Sequence, residues 1–434
     1  MYEAKPSTLF RQYAIPQMVG LLFNSVYVIV DGVFIGHRLG REALAAAAVS
    51  VPLLECFVAL AMAIATGAGV LVSSHFGRGE NDRARVYFTL AVAITLVLSV
   101  LIAVPGNIFM TPLAVTLGAT PAILELSLTY MFYIVTFCSF ILFSFLLSTL
   151  ARNDNRPKLA MVSLVIGALA NVFLDWLFMY PLNMGLRGAA LATAIGPVLS
   201  VLILLPHFLL RRGELYLVRV RLHFAELSRI FTLGLPTFVI EFSIGFLALV
   251  YNIAIVQYGF AEIGLAAYLL MGYLILIILT FFLGMAQGLQ PLFSYFHGSG
   301  EREKSEALLG YAFRIYAVLG TLAYVLILLG VRGFYRLFTP DDTELLDFMQ
   351  VRSYWYFWGF VFGGLNILLI SYWQAIASAT RSLWAAVLRS MLLPVVLMLF
   401  LPVIAGNEGI WTVHSLSEFI AFAVVIYFQK HYRN

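Results

Sequence analysis

The stretch FRQYAIPQMVGLLFNSVYVIVDGVFI, residues 10–35, holds Asp31 inside an otherwise apolar run. The run is long enough to cross a bilayer, which takes about 20 residues of helix. LAMVSLVIGALANVFLDWLFMY, residues 159–180, repeats the pattern with Asp175. Asn171 precedes Asp175 by one helical turn and shares its face. A charged side chain at membrane depth costs about 3 kcal/mol by insertion scales, so it persists where it binds a cation or a proton. Two such acids imply an ion-coupled transporter.

The remaining composition agrees. Of 434 residues, 62% are hydrophobic and 11% charged, with mean hydropathy +0.95. A soluble chain could not hide so much apolar surface, so the solvent is mostly lipid. Twelve apolar stretches follow at 11–35, 45–73, 86–109, 123–150, 159–180, 188–210, 230–257, 265–294, 309–330, 347–377, 383–404 and 410–429. They are too long, and alternate too little, for membrane strands. The expected fold is all-α and polytopic. Cys56 and Cys138 lie in apolar stretches and offer neither a disulfide framework nor metal spacing. The first apolar stretch is too long for a signal-peptide core, so the first helix is expected to be retained.

Basic residues alternate between loops. One set comprises Lys5, Arg11, Arg78, Arg83, Arg85, Arg152, Arg156, Lys158, Arg211, Arg212, Arg219, Arg221, Arg229, Arg302, Lys304, Arg381, Arg389, Lys430 and Arg433. The other is Arg38, Arg41, Arg187, Arg332 and Arg336. This 19-to-5 bias places both termini in the cytoplasm and requires an even number of crossings. The charges flank membrane spans and do not form one face, which argues against nucleic-acid binding.

The halves look duplicated. AIPQMVG at 14–20 starts the first span as GLPTFVI at 234–240 starts the seventh. SSHFGRGENDRAR at 73–85 matches SYFHGSGEREKSE at 294–306, and Thr120-Pro121 matches Thr339-Pro340. Equal topology in both copies implies a parallel repeat. Two six-helix lobes related by a pseudo-twofold axis are expected, at 1–210 and 230–434, joined by a cytoplasmic linker at 211–229. Such lobes commonly rock about a central cavity.

FNSVYVIVDGVFIGHRLG at 23–40, NVFLDWLFMYPLNMGLRGAALATAIG at 171–196, PTFVIEFSIGFLALVYN at 236–252 and GMAQGLQPLFSYFHGSGE at 284–301 resemble the multidrug and toxic compound extrusion (MATE) family. The resemblance covers nearly the whole chain. It implies an antiporter that exports organic cations and other amphipathic compounds against inward H+ or Na+ flow. The closest likeness is to prokaryotic members with an acid pair in the N-terminal lobe. Their ion site implies Asp31, Asn171, Asp175 and Thr193, joined by the carbonyl of Ala189. Such oxygen donors suit Na+, and two neighbouring carboxyls can also share a proton. Some relatives add an amide on the fourth span, where this chain has Ser144 and Ser148. Others place a cation site in the C-terminal lobe with a helix-seven Glu and a helix-ten Asp. Glu241 fits the first, but the tenth span has Asn366 and Gln374 and no Asp beyond Asp347. Glu241, Tyr27, Asn366 and Gln374 are therefore substrate or gating candidates.

Plainer readings stand beside these. Asn171 serves equally as interhelical glue, and Thr193 can bond back to its own helix. Glu418 follows His414 at i+4, so the two could pair. Arg352 could meet an acid or snorkel. Tyr354, Trp355, Tyr356 and Trp358 crowd the tenth span as cation-attracting faces or lipid anchors. Pro16, Pro236, Pro291 and Pro394 are expected to kink their helices.

A flippase or exporter of a lipid-linked or metabolite substrate is the rival within the superfamily. A lipid-phosphate cavity would be basic, whereas the intramembrane charges read as mostly acidic. A membrane enzyme would need acid-rich or HExxH metal motifs, a channel a repeated filter segment, and an ATP-driven pump a P-loop; none of these motifs occurs in the sequence. No cofactor is expected beyond the coupling ion, and no metal beyond possible Na+. The expected setting is a monomer in the plasma (inner) membrane.

Overall fold

The computed structural model describes residues 4–221, 223–337, 339 and 342–431. In chain order, α1 covers Pro6–Ala48, α2 Val51–Gly77 and α3 Asn81–Ile108, followed by a short α4, Met110–Thr116. α5 (Leu124–Thr136) and α6 (Cys138–Asn153) form one span bent by 44°. α7 (Pro157–Met179) and α8 (Leu186–Leu209) complete the first lobe. The second holds α9 (Phe224–Gln257), α10 (Ala261–Ser299) and α11 (Arg302–Arg336). α12 (Thr343–Phe357) and α13 (Phe360–Ala375) make another bent span, at 42°. α14 (Ala379–Val387) runs through a π-helical turn, Leu388–Leu392, into α15 (Leu393–Ala405), and a 3-10 turn, Asn407–Thr412, leads into α16 (Val413–His431). Ten unbroken helices and the two bent pairs give twelve spans among the described residues.

Both bends fall in the fourth span of their lobe, so the duplication extends to this irregularity. The stretches 123–150 and 347–377 are longer than a bilayer needs, so tilting or bending is the expectation from length; hydropathy does not register where the break between two apolar segments falls. In the second lobe the break serves packing. Gly359 donates its backbone N–H to Ser415 Oγ at 2.8 Å, and a Cβ there would overlap Ser415. The first boundary also moves. α1 runs on to Ala48 through a break at Gly40 (φ +82°), and α2 starts at Val51 with proline in its first turn. Proline suits that place because the N–H it lacks would be unbonded there anyway. Side chains such as Leu101, Phe173, Leu249, Leu329 and Val403 face outward, as lipid contact requires. Pro340 and Arg433, used in the repeat and charge readings, lie outside the described residues.

Several of the basic loops gather at one end. The segment between α8 and α9 is tied to α3 by Arg85–Glu214 at 2.9 Å, and the start of α9 by Arg83–Glu226 at 3.6 Å. Asp154, after α6, accepts from His207 Nε2 at 2.7 Å and from the Glu214 backbone N–H at 2.9 Å. Both side chains are buried. Breaking one half of a buried pair costs about 3–5 kcal/mol. Asp154→Ala is thus expected to lower the thermal midpoint of the purified protein clearly. An unchanged midpoint would mean that this connection is held elsewhere. Arg152 and Arg389, counted with the basic loops, are instead buried within the bundle, which leaves seventeen in that set.

The lobes meet at this same end. α2 packs on α9, and α1 on α10. A Cβ at Gly67 would overlap the Ile230 carbonyl oxygen, and one at Gly234 the Ala63 carbonyl oxygen. Gly288 lies against Tyr13, and Gly77 and Gly298 interlock with Tyr295 and Ser74. Beyond this seam α1, α2, α9 and α10 line a cavity of about 770 Å³ between the lobes.

Candidate functional site

Small residues bring the site helices together. Gly167 on α7 and Gly196 on α8 face each other so closely that a Cβ on Gly196 would come to 3.0 Å from the Gly167 carbonyl oxygen. That approach lets side chains on α7 reach the backbone of α8. In the orientation that satisfies both ends of its amide, Asn171 donates to Asp175 Oδ2 at 3.2 Å and accepts from the Thr193 backbone N–H at 3.2 Å. Asn171 is thus both glue and part of the cluster. Asp175 is fully buried, and Asp31 on α1 lies beside it.

Tyr130 on α5 donates its hydroxyl to Asp31 Oδ2 at 3.3 Å. Ser144 and Ser148 are the fourth-span polar residues that the sequence offers to the site. Ser144 instead bonds back to Ile141 at 2.8 Å, and Ser148 accepts from Arg152 at 3.1 Å. The bend between α5 and α6 separates Tyr130 from those serines, and linear spacing carried no signal for it.

Three buried oxygens of this cluster have no partner among the described residues: Asp31 Oδ1, Asp175 Oδ1 and Thr193 Oγ1. A buried polar atom without a partner costs about 1–3 kcal/mol. Hard oxygen donors from three helices suit a proton or Na+, which would satisfy them. Ala189 is buried one turn before Thr193 on α8.

The acids sit one layer behind the cavity. Asn171, Thr193 and Tyr27 line it, whereas Asp31 and Asp175 do not. Glu241, from α9, and Glu55, from α2, also line the wall. Of the four tenth-span aromatics only Tyr356 lines it, and Trp355 is exposed on the outer surface. Asn366 lies off the cavity and donates to Glu418 Oε2 at 2.8 Å. Gln374 ties α13 to α9 through the Leu233 carbonyl oxygen at 2.6 Å. Glu418 pairs with Arg389 at 2.8 Å, not with His414, whose ring stacks on Tyr356. Arg352 meets Glu408 and lies over the Phe348 ring at 3.4 Å.

Comparison with known proteins matches this arrangement. The family model MatE matches residues 16–177 and 236–400, two stretches that begin 220 residues apart, as the duplication requires. The multidrug export protein MepA of Staphylococcus aureus strain MRSA252 is 22% identical over 98% of this chain and 95% of its own length. MepA of Staphylococcus saprophyticus is 24% identical over 68% of this chain and 66% of its own. A solved structure described as the outward-facing conformation of a multidrug resistance MATE family transporter superposes with a TM-score of 0.93. It is 21% identical and covers 99% of this chain and 96% of that one. With a duplicated helical fold, a cavity between the lobes and a family match over most of its length, the chain belongs to the MatE (MATE) family of multidrug efflux transporters, multi-pass membrane proteins and not enzymes.

Proposed function

We propose that the chain is an antiporter that exports cationic or amphipathic organic compounds in exchange for H+ or Na+. The three orphaned oxygens behind the cavity wall carry this reading. An ion there offsets one of the two negative charges and bridges the carboxyls, and its release leaves two facing carboxylates that repel. Asn171 and Thr193 belong to both the cluster and the cavity wall, so ion occupancy is felt where substrate binds. Coupling then runs through the shape of the wall and needs no direct contact between substrate and Asp31 or Asp175.

Glycine-lined closure at the basic end, with the cavity beyond it, corresponds to an outward-facing state if that end is cytoplasmic. The lobes are 1–210 and 230–434, the linker 211–229 is cytoplasmic, and one chain suffices for transport. In a background lacking Cys56 and Cys138, Arg219→Cys is expected to resist an impermeant thiol reagent added outside cells. Labelling from outside would invert the topology. The lipid-precursor rival fares less well, because the cavity wall holds three acids, Glu55, Glu241 and Glu418, against one arginine, Arg389, among the described residues.

Efflux of a fluorescent cation from proteoliposomes, under imposed H+ and Na+ gradients separately, tests the proposal. Uphill movement with one gradient identifies the coupling ion, and none with either sinks antiport. Glu241 faces the cavity and its carboxyl makes no hydrogen bond to any described residue. Glu241→Gln is expected to weaken export of the cation about tenfold, the scale of one charge-assisted contact. Ion binding in the N-terminal lobe should persist, and its loss would overturn the division of labour between lobes.

A further inference from the structure

We propose that the C-terminal wall of the cavity holds a receptor for a substrate carboxylate, built on Arg389 and Ser390. It rests on the transport reading above and names the residues that take the anionic end of a substrate. Its basis is an arginine with donors to spare. Pro394 has no N–H to return to the Ser390 carbonyl, and the helix widens there into the π turn Leu388–Leu392. That turn places Arg389 and Ser390 on the cavity wall, both nine-tenths or more buried.

Arg389 spends only Nε on the protein, donating to Glu418 Oε2 at 2.8 Å. Asn366 Nδ2 donates to the same Glu418 oxygen at 2.8 Å, which fixes the carboxylate. The terminal guanidinium nitrogens make no hydrogen bond to any described residue, and neither does the Ser390 hydroxyl. Arg152 is a contrasting case. Its terminal nitrogens reach Gln17 Oε1 at 2.7 Å, Ser148 Oγ at 3.1 Å and Thr149 Oγ1 at 2.9 Å, and it does not line the main cavity. The idle terminal nitrogens of Arg389 are not sealed in the protein interior and open onto the cavity. The planar guanidinium fork matches a carboxylate with two parallel hydrogen bonds. Glu418 thus aims and fixes the fork without occupying it. In the same cavity Glu55 and Glu241 can take an ammonium group, and Tyr268 and Tyr356 offer faces to the body between. One wall can therefore hold the anionic end of a molecule whose cationic end meets the acids.

The test uses two dyes, a rhodamine with a free carboxylate and its ethyl ester. Their binding to the purified full chain is followed by fluorescence polarisation. The double substitution Arg389→Gln with Glu418→Gln removes the fork without stranding a buried carboxylate. It should weaken the carboxylate dye about tenfold or more and the ester less than about twofold. Equal changes for both dyes, or none for either, would overturn the receptor and leave the idle donors to cavity water. If the double variant does not fold, Arg389→Lys decides. It keeps the charge but loses the fork, so it should weaken the carboxylate dye selectively, and an equal shift for both dyes again overturns the proposal. Wild-type binding of the ester alone would also overturn the receptor while sparing the transport reading. Binding of neither dye would remove both.

Discussion

Asp31→Asn and Asp175→Asn are each expected to abolish drug resistance at wild-type levels of membrane expression. Each substitution keeps side-chain size and one hydrogen-bonding oxygen but removes the capacity to ionise. The site has no spare acid: MatE-type coupling at this cluster would rest on these two carboxyls, and Glu55 and Glu241 belong to the cavity wall instead. Asp175 retains its Asn171 neighbour and Asp31 its Tyr130 neighbour, so the helices have reason to stay in place. Export should fall to background, while fluorescent-dye binding to the purified variants persists within a few-fold. Wild-type resistance in both variants, at matched expression, would remove the pair from the mechanism. Loss of folded protein instead would make them structural.

Gly67→Val is expected to hold the lobes apart at the basic end. The new Cβ would run into the Ile230 carbonyl oxygen, a backbone atom that no side-chain rotation can move. Overpacking of this kind costs about 1–3 kcal/mol. A penalty that falls only on the sealed state shifts the conformational equilibrium roughly 5- to 150-fold toward the unsealed one. Gln290→Cys, in the small pocket at the foot of the cavity, would report the shift. In the background lacking Cys56 and Cys138, its labelling from the basic-loop side should rise with Gly67→Val, and export should fall together with it. Unchanged labelling with full export would show that this seam does not have to close. Gly234→Val, on the facing helix, should act in the same direction because its Cβ would meet the Ala63 carbonyl oxygen.

The helical membrane fold, its duplication and the two acids at membrane depth, Asp31 and Asp175, were legible in the sequence for a physical reason. Each rests on a local property: an apolar run of bilayer length, a motif recurring at a fixed offset, or an acid where lipid makes an acid expensive. Thr193, by contrast, entered only through the family resemblance. Other features were settled only by the tertiary structure, because they depend on which surfaces meet. Tyr130 reaches Asp31 through a bend that hydropathy does not record. Arg389 reads as a loop charge by spacing, yet the π turn before Pro394 carries it into the cavity wall opposite Glu418. His414 sits one turn from Glu418 but gives up that neighbour to Arg389, a closer cation from another helix. The glycines of the seam look like ordinary helix residues until a second backbone is placed against them. Periodicity and composition describe what one helix presents. Partner choice, bends and close approach are properties of pairs of helices, and a single chain segment does not encode them in its own spacing.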